Sequence, residues 1–299
     1  MNHLPYEYSP IVERPSLEWP RGKRIAVIIT VNLEAWDVIP DSSKPYEGPT
    51  VVQVPVPSGH PNYANYTWRE YGHRVGVFRL IELFSKHGVF SSASLNAAVG
   101  EKFPATIREA KRRGWEFVAH SYQQNEVLTY YANDPKGEEA LIEKTLRKFQ
   151  EVVGEKARGW LSPSLSPTAN TLRILAAKGI DIFCDYCNDD QPYLLKVEGK
   201  RIVCIPYTLT LNDYSLCVRD GYTSREFSQA IKDAFDTLYK EGGRILNIGL
   251  HPHISGQPFR LVGLNDALTH MLRRAKVWFP RRSEVADWYL RRTLSQEPG

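Results

Sequence analysis

Short apolar runs alternate along the chain with longer stretches whose apolar residues recur every three or four positions. The runs at 25–31, 90–95, 115–119, 157–161, 180–184, 202–205, 245–250 and 277–279 predict buried strands. The stretches between them predict helices over 75–87, 105–113, 138–153, 168–178, 223–239 and 264–274, with a last helix capped by Ser283. Val77, Leu80, Ile81 and Phe84 share one face of the first helix; Phe227, Ile231, Phe235 and Leu238 do the same in the helix stopped by Gly242-Gly243.

Strand–helix alternation means a parallel sheet with crossover helices. Seven or eight such units without a break predict one α/β domain, a distorted, closed or nearly closed (β/α)7-8 barrel, and such barrels run to roughly 250 residues. The barrel is expected at 23–292, after an N-terminal arm at 1–22 and before a short tail at 293–299. One segment breaks the rhythm. Residues 37–72 hold Pro40, Pro45, Pro49, Pro55, Pro57 and Pro61 with Tyr46, Tyr63, Tyr66 and Trp68. A long irregular insertion in a compact domain usually serves a site or an interface. It follows the first strand, which puts it on the face where barrel folds carry their sites.

Composition changes this picture little. The 299 residues are 42% hydrophobic and 11% aromatic, with a net charge of +4, which excludes disorder as the main theme. The basic residues form only short runs, such as Lys111-Arg112-Arg113, with no stacking aromatics interleaved, so nucleic acid is not an expected partner. No apolar run reaches the roughly 18 residues of a spanning helix, so no membrane is expected either. The first residues show no signal-peptide layout, which makes the cytoplasm the default location. Cys184-Asp185-Tyr186-Cys187 is a C-x-x-C without a helix start behind it. It and Cys204 and Cys217 read as structural thiols.

The informative polar residues fall just past the strand ends. The first strand leads into Asn32-Leu33-Glu34-Ala35-Trp36, and a two-residue period puts Asn32 and Glu34 on one face. The third leads into His120, then Gln124-Asn125-Glu126. The fifth leads into Asp185, the carboxylate expected to point inward, while Asp189 and Asp190 read equally as turn formers before Pro192. A late strand leads into His251-Pro252-His253, followed by Gly256 and Arg260. Taken singly, each has an ordinary reading: an exposed glutamate, a packed histidine. Convergence of Glu34, His120 and His251 on one rim favours catalysis. A carboxylate with two imidazoles suits hydrolysis of an unreactive carbonyl, because one group takes a proton from water and another returns one to the leaving atom. A metal could also activate the water. His73, where the first helix begins, reads as helix cap or site residue alike.

Six stretches, in this order, resemble the polysaccharide deacetylase superfamily (carbohydrate esterase family four), and within it the allantoinase-like, cofactor-independent amidohydrolase branch. They are Tyr71-Gly72-His73-Arg74-Val75-Gly76-Val77, Trp115-Glu116-Phe117-Val118-Ala119-His120, Gly159-Trp160-Leu161-Ser162-Pro163, Asp185 to Pro192, Ile205-Pro206-Tyr207 with Asn212-Asp213, and Leu250-His251-Pro252-His253 with Gly256-Gln257-Pro258-Phe259-Arg260. The resemblance covers about residues 20–290. It implies a distorted (β/α) barrel with its site at the carboxyl ends of the strands, and hydrolysis of C–N bonds in acetamides, cyclic imides or ureides.

It also implies roles. His251 matches the general acid toward the leaving nitrogen, Glu34 activates water or orients a substrate N–H, and His120 positions the water. Asn32, Trp36, His73, Asn125, Glu126, Asp185, His253 and Arg260 are the expected substrate-binding or orienting residues, with Glu126 an alternative base to Glu34. Metal-dependent members carry neighbouring aspartates on the first strand and two histidines about four residues apart on the third. Here Asn32-Leu33-Glu34 and His120 with Gln124 stand in those places, so no metal residue and no cofactor is expected, a divalent zinc being the alternative. The Glu-Gly-Gly-Glu run of the allantoinases is absent, and Trp36 with the aromatic insertion points to a larger or more apolar small-molecule substrate. Arm and insertion would suit the interface of a homo-oligomer. The rival readings are a metal-dependent N-deacetylase of an acetylated sugar and a non-catalytic binding module on the same fold.

Overall fold

The computed structural model describes residues 4–295 except 40, 42, 49, 55 and 58. Met1 to His3, Pro40, Pro49, Pro55 and the end of the expected tail, 296–299, therefore lie outside the described residues. The strands are β1 (Ile25–Leu33), β2 (Ser92–Leu95), β3 (Glu116–Ala119), β4 (Gly159–Trp160), β5 (Ile182–Phe183), β6 (Tyr193–Val197), β7 (Lys200–Cys204), β8 (Arg244–Leu250) and β9 (Val277–Trp278). The α-helices are α1 (Tyr63–Tyr71), α2 (Val77–His87), α3 (Val99–Lys102), α4 (Pro104–Arg112), α5 (Pro135–Val153), α6 (Thr171–Ala177), α7 (Ser224–Glu241), α8 (Pro252–Ser255), α9 (Pro258–Leu272) and α10 (Arg282–Leu294).

The sheet order is β6-β7-β5-β4-β3-β2-β1-β8, with β9 also paired to β1. All pairs are parallel except β6 with β7. All nine residues of β1 are buried, as expected of a central parallel strand covered on both faces. This is the distorted (β/α) barrel, curled rather than fully closed. Across the seam between β7 and β8 the chain spans the gap with an Asn212–Gly249 bridge and an Ile245 N–H bond to the Asp190 carbonyl. The arm packs Trp19 on Trp288 at 4.6 Å, and Arg14 pairs with Asp189 at 2.7 Å. Among the described residues no helix is long and apolar enough to cross a membrane.

Several boundaries differ from the sequence expectation. The hairpin arm β6 was not expected. Its signal was the Glu198-Gly199 pair, both left-handed (φ 48° and 77°), which makes the tight turn into β7. Helix α9 starts at Pro258 rather than 264, because Phe259 and Val262 of its first turns are exposed and break the apolar stripe. Helix α10 starts at Arg282, with Arg281 at the cap position, two residues early. Glu284 rather than Ser283 caps it, accepting from the Arg281 N–H at 2.7 Å. Thr293 and Leu294, assigned to the tail, are still helical.

The largest difference falls in the insertion, whose last nine residues are helical. Asn62 caps α1, and a π-turn over Gly72–Gly76 joins α1 to α2. Such turns often mark functional sites. Here the two glycines let the helix press on α8: a Cβ on Gly76 would lie 2.0 Å from the Pro252 carbonyl oxygen. That contact seats α8, and with it the His251–His253 segment, against the barrel mouth.

Candidate active site

At the carboxyl ends of the strands lies a cavity of about 370 Å³ lined by Glu34, His120, Gln124 and His251 among others. Two larger concavities, one under the arm and one at the β7–β8 seam, have no histidine in their walls.

Each catalytic candidate is held by its strand end. Asn32, paired in register with Ser94, accepts that hydroxyl at 2.5 Å and donates to the Tyr207 hydroxyl at 2.8 Å. Glu34 emerges one residue past β1. His120 follows β3, its N–H bonded to the Leu95 carbonyl at 3.0 Å. Its ring Nδ1–H donates to the Leu161 carbonyl at 2.6 Å, which leaves Nε2 free toward Glu34, 4.0 Å away. Ser121 then takes a left-handed conformation (φ 57°), which is unfavourable for a residue with a Cβ and turns the chain away behind the imidazole.

His251 follows β8 and is anchored by Asp213. The Asp213 carboxylate accepts from the His251 N–H at 2.7 Å, from ring Nδ1 at 2.6 Å and from the Ser255 hydroxyl at 2.6 Å. On the far side His251 Nε2 sits 3.4 Å from Glu34 Oε1. A chain Asp213–His251–Glu34–His120 thus crosses the cavity floor.

The electrostatics follow from that order. Burial disfavours a charged His251, but Asp213 and then Glu34 outweigh it and push its pKa up to about 10. Burial also works against the Glu34 carboxylate, yet the His251 charge and hydrogen bond, with His120, hold it down at about 2. His120 lacks such a partner pair, and burial lowers its pKa. At neutral pH the site therefore holds a carboxylate, an imidazolium and a neutral imidazole with an open Nε2 lone pair.

The remaining expected residues are placed otherwise. His73 donates its Nε2–H to the Glu34 backbone carbonyl (2.8 Å) and stacks on Phe103; burial lowers its pKa to about 4. His253 stands edge-on to Trp68 behind His251, lowered well below the usual range by burial and the His251 charge. Trp36 lies behind the wall, under the Arg69 guanidinium at 3.8 Å. Asn125 faces Asp37 at 3.5 Å. None of these four lines the cavity.

Three expectations are corrected. Glu126 is paired with Lys44 at 2.8 Å and stands outside the cavity lining, which favours Glu34 over it at the reacting centre. Asp185 is buried but orients no histidine. It accepts the Ser162 N–H at 2.6 Å, and burial raises its pKa to about 7. Arg260 reaches back to the Tyr222 and Cys217 carbonyls and so ties α9 to the preceding loop rather than to a ligand. The cysteines are free thiols, three of them buried, with pKa values raised by burial.

Sequence reasoning missed Asp213, Tyr207 and Tyr46, all at or beside the cavity. The signal for Asp213 was chemical: a buried imidazole acting as an acid needs a carboxylate on its other nitrogen. Nothing in the spacing of 38 residues to His251 identifies which one. Tyr46, from the insertion, lines the mouth and touches Ser164 across it.

A divalent metal at such a site needs three good donors. Glu34 and His120 offer two; His251 Nε2 lies 3.4 Å from Glu34 but is held as an imidazolium by Asp213, and Gln124 is a neutral amide, a weak donor. Among the described residues no group of three or more His, Cys, Asp or Glu is arranged to hold a metal ion.

The family model described as Polysaccharide deacetylase matches residues 69–183. The chain is 29% identical over 298 residues to a putative polysaccharide deacetylase of Schizosaccharomyces pombe, covering 90% of this chain and 91% of that one. It is similar to a probable polysaccharide deacetylase of Pseudomonas aeruginosa PAO1 (TM-score 0.83, 28% identity, 93% and 95% of the chains covered). It is equally similar to Puue allantoinase (TM-score 0.83, 29% identity, 93% and 94% covered).

Proposed function

Given that this chain carries a polysaccharide deacetylase domain and is a hydrolase of carbon–nitrogen bonds other than peptide bonds, we propose that it cleaves an amide, cyclic imide or ureide bond of a small molecule without a metal. The observation that carries the proposal is the Asp213–His251–Glu34–His120 chain along one cavity. Water placed against Glu34 and His120 gives its proton to the open His120 Nε2, and the resulting hydroxide adds to the carbonyl carbon. The Glu34 carboxylate stabilises the His120 imidazolium so formed. Held ionised by its neighbours, it serves better as this electrostatic anchor than as a proton acceptor. The His251 imidazolium then gives its Nε2 proton to the leaving nitrogen as the C–N bond breaks, while Asp213 keeps the ring in place. The products are a carboxylic acid and the protonated leaving nitrogen, which is an amine from an amide, the amide end of the opened ring from an imide, or a urea from a ureide, and solvent exchange resets the two rings.

The names of its relatives, a polysaccharide deacetylase and a peptidoglycan deacetylase, support a second reading, N-deacetylation of a sugar. One experiment separates them. Chelator-treated protein is offered allantoin, cyclic imides, aryl acetamides and N-acetylglucosamine oligomers, with Glu34→Gln as control. Ring opening that survives chelation and is lost in the variant is expected. Cleavage of the sugar oligomers that appears only with added zinc would defeat the metal-free reading.

The four free thiols support a reducing, cytoplasmic setting. Exposed Val51, Val52, Val54 and Tyr63 in the insertion support a homo-oligomer. Light scattering that returned a monomer mass would end the latter proposal.

A further inference from the structure

We propose that Gln124 is a substrate-binding residue whose side-chain oxygen accepts the N–H of the bond to be cleaved. The site would then take amides, imides or ureides with a hydrogen on that nitrogen and discriminate against their N-alkylated counterparts. The inference rests on the hydrolase reading above and narrows its substrate class.

The polar groups around the cavity are mostly committed to one another. Asn32 is bonded to Ser94, Tyr207 and the Leu250 carbonyl. Asn212 donates to the Tyr207 hydroxyl and accepts the Tyr214 N–H. Glu34 faces two imidazoles. Gln124 is different. It lines the cavity, is only 4% exposed, and its side-chain oxygen is buried with no hydrogen-bond partner. Its backbone is pinned, the N–H bonded to the Ala35 carbonyl at 3.0 Å, next in sequence to Glu34. Its side chain is within hydrogen-bonding reach of the His120 ring and would accept from that ring only in its protonated form; with the ring neutral the oxygen has no donor.

A buried carbonyl oxygen without a donor is costly, and in native proteins such orphans call for a functional account. A ligand that brings an N–H removes the cost; one that brings N–CH₃ leaves the oxygen unpaired and adds a clash. The wall around it is rich in acceptors, with the Glu34 carboxylate, the open His120 Nε2 and the Gln124 oxygen together. The leaving nitrogen therefore docks by its hydrogen, within reach of the His251 acid.

The test measures dissociation constants of succinimide and N-methylsuccinimide by ligand-observed NMR, where any hydrolysis is also visible. Wild type, Gln124→Met and Gln124→Glu are compared. Wild type is expected to hold succinimide about tenfold more tightly. The methionine variant, similar in shape but without the acceptor, is expected to bring the two probes within about twofold while N-methylsuccinimide binding stays as it was. The glutamate variant keeps an oxygen at the same reach and should keep the preference. It decides the case if the methionine variant fails to fold. Retained discrimination in Gln124→Met, equal weakening of both probes, loss of preference in Gln124→Glu, or no wild-type preference for succinimide would each overturn the proposal. Binding is read apart from turnover, so the outcomes separate. Lost preference with turnover intact defeats this inference alone, and absent turnover with the preference intact defeats the hydrolase reading alone.

Discussion

His120 and His251 leave their strands into the same cavity, both buried, yet one is neutral and the other cationic. His120 rests its Nδ1–H on a backbone carbonyl, which sets the tautomer but brings no net charge. His251 rests the same atom on Asp213, whose full negative charge more than offsets the desolvation of the imidazolium. One ring is thereby prepared to take a proton and the other to give one. The difference lies in a single partner, contributed by a loop that neither strand contains.

Removing that partner is the strongest way to break the contrast. Asp213→Asn should bring His251 down toward the behaviour of His120 and lower kcat by about 10³-fold on whichever substrate the panel yields. The His251 ring titration followed by NMR reports the cause directly, and an unmoved midpoint would defeat the explanation.

Glu34→Gln should cost about 10²–10³-fold in kcat and lower the His251 pKa less than Asp213→Asn does, because Glu34 ranks below Asp213 among its causes. A larger shift from Glu34→Gln would reverse their ranking.

Stability should carry the same signature. The His251 pKa is raised from 6.5 to about 10, so the stability it adds is fully present below pH 6.5 and is lost as pH rises through about 10. Glu34 is depressed from 4.5 to about 2, so its contribution is present above pH 4.5 and fades as pH falls toward 2. Denaturant midpoints across pH 6–10 should fall in the wild type and flatten in Asp213→Asn. Parallel curves would show that the pair stabilises nothing.

The smallest effect is expected at Arg260. Because it binds backbone carbonyls outside the cavity, Arg260→Ala should leave kcat/KM within about twofold and lower the melting temperature slightly. A large rise in KM would return it to the substrate.

What was legible in the sequence divides along physical lines. Strand and helix order could be read because each buried element repeats its apolar positions at its own period, as β1 and α7 do. Glu34, His120 and His251 could be singled out because each follows an apolar strand directly, so the strand itself carries it to the mouth. Asp185, Glu126 and Arg260 were misassigned by the same logic, since proximity to a strand end does not say which neighbour a side chain will find. Ser162, Lys44 and the Cys217 and Tyr222 carbonyls found them first.

The chain's pattern by itself therefore determined the alternating architecture, the site-bearing face and the side chains delivered to it, because these depend on local periodicity and strand direction. Only the tertiary structure decided that Asp213 meets His251, that Gln124 is left with a buried unpaired oxygen, and that the π-turn after α1 presses on α8 through two glycines. Charge state, hydrogen-bond satisfaction and close packing depend on distances between residues far apart in the chain, and such distances exist only once it is folded.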